Sequence, residues 1–340
     1  MPNASARSPL WLLERLLHRF YLVFVAVVTL AVVANELSLY GSVLKEWDWL
    51  LVTGFGTWIA AVYFPLLLPD KVTETLTRLA NRGVLNGDAD LAEFLAKLHR
   101  RARRGALLGS VAFAVAIFAA WIVAFRNLLA GHALIVILET VAAVPVGLFA
   151  GRAISYGLLA RRLAEAGFTV IPDPDHLDGA AGLRPIGALY FYQSGLLAIP
   201  GIFLAAWWLL IPLLGGRYLN WREPYAGLLL IIVISEILAF ILPMLLFHQL
   251  MLRRKNELFP EADELSRQSA RPENNAAETE SRVKRYMAID SMPTWPVDAK
   301  IRRRFGLRNA VLLLPVLAQL FGVSPAIQKL IENLQKVLLH

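Results

Sequence analysis

Long apolar runs alternate along the chain with short polar segments that are mostly basic. The clearest run, residues 225–252, reads YAGLLLIIVISEILAFILPMLLFHQLML, with Glu236 as its single formal charge. At a rise of about 1.5 Å per residue it is longer than a hydrocarbon core of about 30 Å, with length to spare for tilt. Five earlier runs, near 20–39, 49–68, 106–125, 132–159 and 189–214, predict further spans.

The segments between these runs carry their own periodicity. Residues 1–19 hold an amphipathic stretch and predict a cytoplasmic interfacial helix before the first span. Segment 70–105 predicts a helical hairpin, with Val72, Leu76 and Leu79 on one arm and Leu91, Phe94, Leu95 and Leu98 on the other. Asn86-Gly87-Asp88 supplies its turn. The loop 160–187 leads into the fifth span.

Beyond residue 252 the chain turns polar over 253–308, where 261–280 reads as a linker and 281–290 as a helix. A second apolar stretch, 309–323, is short for a span and contains Pro315, which points to a re-entrant, interfacial or protein-buried element. Ser324-Pro325 then opens an amphipathic helix within 309–340, with Ile327, Leu330, Ile331, Leu334, Val337 and Leu338 on one face, suited to subunit contact or to lying on the membrane surface. The expected fold is an all-α integral membrane protein. It has six transmembrane helices over 20–252, a cytoplasmic hairpin, and C-terminal membrane-associated and amphipathic helices.

Composition strengthens this reading. Of 340 residues, 57 % are apolar and 18 % charged, against about 25 % charged in a soluble protein. The net charge of +8 sits beside apolar runs. That placement implies a bilayer with anionic headgroups as partner, and not nucleic acid. Arg100, Arg101, Arg103 and Arg104, in the run HRRARRG, are the candidate headgroup contacts. Successive polar segments hold 3, 1, 8, 1, 4 and 2 Lys or Arg residues before the basic tail begins at Arg253. That alternation places both termini on the cytoplasmic side of an inner or plasma membrane. The absence of cysteine excludes disulfides and thiolate metal sites.

Candidate chemistry lies inside the apolar runs. A carboxylate at the middle of a span costs roughly 2.5–3.5 kcal/mol on insertion scales, so Glu236 needs a reason. Glu139, Gln193 and His248 are further polar groups within or closing spans. Pro145, Pro200, Pro212 and Pro243 free backbone carbonyls there. Together these groups predict an oligomeric ion channel, with Glu236, Glu139, Gln193 and His248 on or gating its path. The alternative is a non-conducting sensor, effector or scaffold whose cytoplasmic loop and tail bind a partner or ligand. In a conduit Glu236 faces a wet path; in a scaffold it is dry and paired.

The loop IPDPDHLDGAAGLRPIG gathers Asp173, Asp175, His176 and Asp178. It reads either as a cation- or ligand-sensing loop or as a turn in which Asp side chains cap backbone N–H groups. Its register departs from a calcium-binding EF-hand. No zincin, phosphate-loop or nucleophile-elbow motif is present, so no enzyme activity, cofactor or metal site is expected.

Overall fold

The computed structural model describes residues 57, 60–61, 63–124, 129–211, 222–269 and 276–321. The expected N-terminal helix, the first span, most of the second and the helix after Ser324 lie outside the described residues. The described chain is all-α apart from one short strand pair.

Helix α1 (Leu68–Asn81) has Pro69 in its first turn, where a missing N–H is not needed, and buries Leu68, Val72, Leu76 and Leu79 at helical spacing. Gly83, at φ +68°, turns the chain into strand β1 (Leu85–Asn86). Helix α2 (Leu91–Ala124) opens with the Asp90 carboxylate accepting from the Ala92 N–H at 2.9 Å. The second hairpin arm and the third apolar run are therefore one continuous helix. Arginine is a good helix former, so HRRARR gives no reason to break.

Helix α3 (Leu129–Gly157) is followed by the short α4 (Leu159–Glu165) and strand β2 (Thr169–Val170). The strands pair antiparallel, Leu85 opposite Val170 and Asn86 opposite Thr169. Helix α5 (Arg184–Leu210) carries the fifth run. Helix α6 (Arg222–Ser269) carries the sixth and continues past it, so the linker expected from residue 261 is helical as far as Ser269. Helix α7 (Ala276–Asp290) covers the helix expected at 281–290. Helix α8 (Ala299–Phe321) takes up the basic residues 300–304 and the second apolar stretch in one element of 23 residues.

Among the described residues, α5 and α6 are long and apolar enough to cross a membrane. Helices α2 and α3 form an antiparallel pair whose backbones touch. A Cβ on Gly109 would lie 2.1 Å from the Gly147 carbonyl oxygen, and one on Gly151 would lie 2.0 Å from that of Gly105. Gly105-x-x-x-Gly109 thus faces Gly147-x-x-x-Gly151. Reciprocal small residues of this kind let helices approach closely where no hydrophobic force drives them together. Ser110 adds a hydrogen bond to the Val144 carbonyl at 3.0 Å.

Below this crossing lies a core of large side chains, with Tyr156, Leu159, Leu163, Tyr190 and Phe247 fully buried. Tyr190 donates to the Tyr156 carbonyl at 3.0 Å, which ties α5 to α3. A second cluster joins α5, α6 and α8 through Leu204, Trp208, Leu229, Leu312 and Val316.

Candidate functional site: a polar knot between three helices

Helix α8 runs antiparallel to α6 and parallel to α5. Phe305 stacks on Phe240 at 4.1 Å, and one turn further Arg308 and Asn309 meet Glu236. Further still, Leu312 lies where a Cβ on Gly201 of α5 would touch it at 3.4 Å. This order sends Arg308 into the apolar region at the depth of Glu236.

Glu236 has no exposed surface. Its Oε1 forms an ion pair with Arg308 and accepts from Asn309 Nδ2 at 3.3 Å. Arg308 also donates to Ser194 Oγ at 2.8 Å, and its guanidinium lies 4.6 Å from the centre of the Phe191 ring. A guanidinium is more weakly hydrated than an ammonium and rests on aromatic faces, which suits it to this position. The knot is electrically neutral. Glu236 Oε2, Arg308 Nε, Asn309 Oδ1 and Gln193 Oε1 are buried and find no hydrogen-bond partner among the described residues.

Gln193 borders this knot, and His248 lies about three turns further along α6 than Glu236. Gln193, next to Ser194, is buried and turns its amide toward the Ala153 carbonyl of α3 at 3.5 Å. His248 shares a 2.6 Å hydrogen bond with the Thr294 carbonyl and stacks on Trp295 at 4.4 Å, so it fixes the segment entering α8. Glu139 belongs to α3, but its side chain is outside the described residues.

In the loop before α5 the aspartates meet the protein's own groups. Asp173 accepts from the Asp175 N–H at 3.1 Å. Asp178 Oδ1 accepts from the N–H groups of Ala180 and Gly182 at 3.0 and 2.9 Å, and its Oδ2 accepts from Arg82 at 3.1 Å. Asp175 pairs with Arg285 of α7 at 2.5 Å, and Arg285 also reaches Glu261 of α6 at 2.9 Å. The Glu261 hydrogen bond, with the Asp175 charge, raises the Arg285 pKa further above its ordinary value. Gly182, at φ +85°, leaves room against Val84 that a Cβ would fill at 2.6 Å. His176 lies against that glycine. No cluster of metal-ligating side chains occurs among the described residues.

Of the candidate headgroup contacts on α2, Arg100, Arg101 and Arg104 are exposed and Arg103 is half-buried, immediately before the glycine crossing. Between α1 and α5 a cleft of about 290 Å³ is lined by Lys71, Glu74, Arg78 and Tyr192, among others.

Arg308 and Asn309 are the residues of the knot that periodicity missed. Their signal was present: an arginine set within an apolar helix requires a buried acid on a neighbour. No family model matches this chain, and no curated protein or solved structure is significantly similar to it.

Proposed function

We propose that the protein is a multi-pass membrane module that acts as a non-conducting sensor, effector or scaffold. Its cytoplasmic loop and tail, carried by α6, α7 and the start of α8, bind a partner or ligand. The observation that carries this reading is the state of Glu236: no exposed surface, and a charge matched within the same chain by Arg308. A carboxylate lining a wet path has no need of a guanidinium at contact distance.

Membrane insertion is supported by α6. Along its apolar part Leu228, Ile231, Ile234 and Leu238 lie exposed. An exposed apolar face of that extent fits lipid and not water. The six-span count, the cytoplasmic N-terminus, the inner-membrane location and homo-oligomeric assembly rest on the apolar runs, the Lys/Arg alternation and the amphipathic C-terminal sequence.

One observation favours the conduit reading. Glu236 Oε2, Asn309 Oδ1 and Gln193 Oε1 are acceptors without a partner among the described residues, and a channel would bring water or an ion to them. Ion flux into liposomes containing wild type or Glu236→Gln separates the two. The module reading expects no flux from either protein under any gradient or voltage. Flux whose size or ion preference changes with Glu236→Gln would replace it with an oligomeric channel.

A further inference from the structure

We propose that α8 is itself a membrane-crossing helix whose outward face is an interaction surface for lipid acyl chains, with its basic end at anionic headgroups on the cytoplasmic side. This rests on the membrane reading above. Its far end then lies on the outer side, opposite to the side that the Lys/Arg alternation alone assigns to the C-terminal region.

Beyond its basic turns, residues 305–321 of α8 extend about 25 Å at 1.5 Å per residue, most of a hydrocarbon core of about 30 Å. The direction follows from its contacts. Asp298, just before the helix, pairs with Arg184 at the start of α5 at 3.0 Å; Arg308 meets Ser194; Leu312 meets Gly201. Helix α8 therefore accompanies α5 through most of its length.

Its two faces differ in the way a spanning helix requires. Ile301, Asn309, Leu312 and Val316 are buried against α5 and α6. Leu307, Val311, Leu314, Leu317 and Leu320 form the opposite stripe and are between 43 % and 69 % exposed. They recur at three- or four-residue spacing over about 20 Å. Lys300, Arg302, Arg303 and Arg304 are exposed at the first turns only. A basic cluster at one end and an unbroken leucine stripe beyond it match anionic headgroups followed by hydrocarbon.

The charge inside the helix removes the remaining objection. An arginine at that depth would oppose insertion, but Glu236 neutralises it and Ser194 takes a second N–H. The two costly residues explain each other.

Because the chain has no cysteine, single-cysteine variants of the full-length protein report without background. Nitroxide labels at Arg302→Cys, Leu307→Cys, Val311→Cys, Leu314→Cys and Leu320→Cys would be read in phosphatidylethanolamine–phosphatidylglycerol liposomes. Ile231→Cys on the exposed face of α6 serves as control. Collision with oxygen, relative to a water-soluble nickel chelate, should rise several-fold from 302 to a maximum at 311–314 and fall again by 320. Uniformly shallow values along α8 would overturn the crossing in favour of a surface-lying helix. Exclusion of both reagents at 311 and 314 would overturn lipid as occupant and point to a second copy of the chain. If position 231 also failed to report lipid, the membrane reading itself would fall, so the two failures are distinguishable. None of the labelled side chains takes part in the polar knot.

Discussion

Two helix contacts in this protein solve the same problem in opposite ways. Helices α2 and α3 meet through glycines, with Gly109 and Gly147 so close that a single added carbon would collide with backbone. Helices α5, α6 and α8 meet through large rings and a buried ion pair, Glu236 with Arg308. On the membrane reading proposed above, apolar side chains gain nothing by leaving lipid for one another, so a contact there needs either close van der Waals fit or polar groups with no better partner. The glycine contact is tight, and the hydroxyls described at it, Ser110 and Ser155, are spent on the backbone carbonyls of Val144 and Gly151. The ion pair fixes register at one point, and it can be broken by changing one residue.

The largest effect expected from dividing these contacts lies at the ion pair. Arg308→Met should leave the Glu236 carboxylate buried and uncompensated, a loss of about 3–5 kcal/mol by comparison with other broken buried pairs. Adding Glu236→Gln should restore most of it, because a neutral pair no longer carries desolvated charge. Denaturant unfolding in micelles, followed by tryptophan fluorescence, reads both. A single variant as stable as wild type would mean that α8 is held by its apolar face alone, and the distinction between the two contacts would collapse.

At the glycine contact the expected loss is smaller. Gly109→Ala places a carbon 2.1 Å from the Gly147 oxygen, so the helices must separate, at about 1–3 kcal/mol of overpacking. Gly227→Ala on α6 is the matched control, since nothing lies within 4 Å of its added Cβ. There the substitution should stabilise slightly, by about 0.5–1 kcal/mol of helix propensity. Equal effects at the two positions would show that the close approach of α2 and α3 contributes nothing.

The two contacts also differ in how far they could be read from sequence. The paired Gly-x-x-x-Gly strings are local, 105–109 at the entrance of one apolar run and 147–151 inside the next, so the pattern was there to be recognised. The ion pair joins residues far apart in the chain, and hydropathy scores each charge as a cost. Arg308 therefore truncated the apparent apolar length of α8 to residues 309–323, and Glu236 looked like a lone carboxylate on a path. Each residue is unfavourable alone and acceptable together, a property no sliding window contains. The aspartate loop was legible as turn chemistry, because Asp178 caps N–H groups two and four residues on. Its ties to Arg82 and Arg285 depend on tertiary placement and were not.

A third contact, a polar one, sharpens the comparison, because it belongs to the glycine-packed pair yet responds to pH. His99 of α2 bonds through Nδ1 to the Tyr156 hydroxyl of α3 at 2.9 Å and through Nε2 to Thr73 of α1 at 3.0 Å. Burial pushes its pKa below the ordinary 6.5, aided by Arg103 and Arg152 and opposed by Asp70. The folded protein thus prefers the neutral ring, and the unfolded chain takes up a proton first. Stability contributed by His99 is complete above pH 6.5 and is lost as the pH falls below that value toward the depressed folded-state pKa. Thermal unfolding of wild type should therefore shift downward between about pH 7 and pH 5.5, by an amount that His99→Gln reduces while keeping a hydrogen-bonding side chain in place. Gly109→Ala should lower stability equally at both pH values, since the polar side chains described at the glycine crossing, Ser110 and Ser155, do not titrate in that range. If His99→Gln left the slope unchanged, the pH response would belong to other groups. The base of the α2–α3 hairpin would then be as indifferent to protonation as its glycine-packed length.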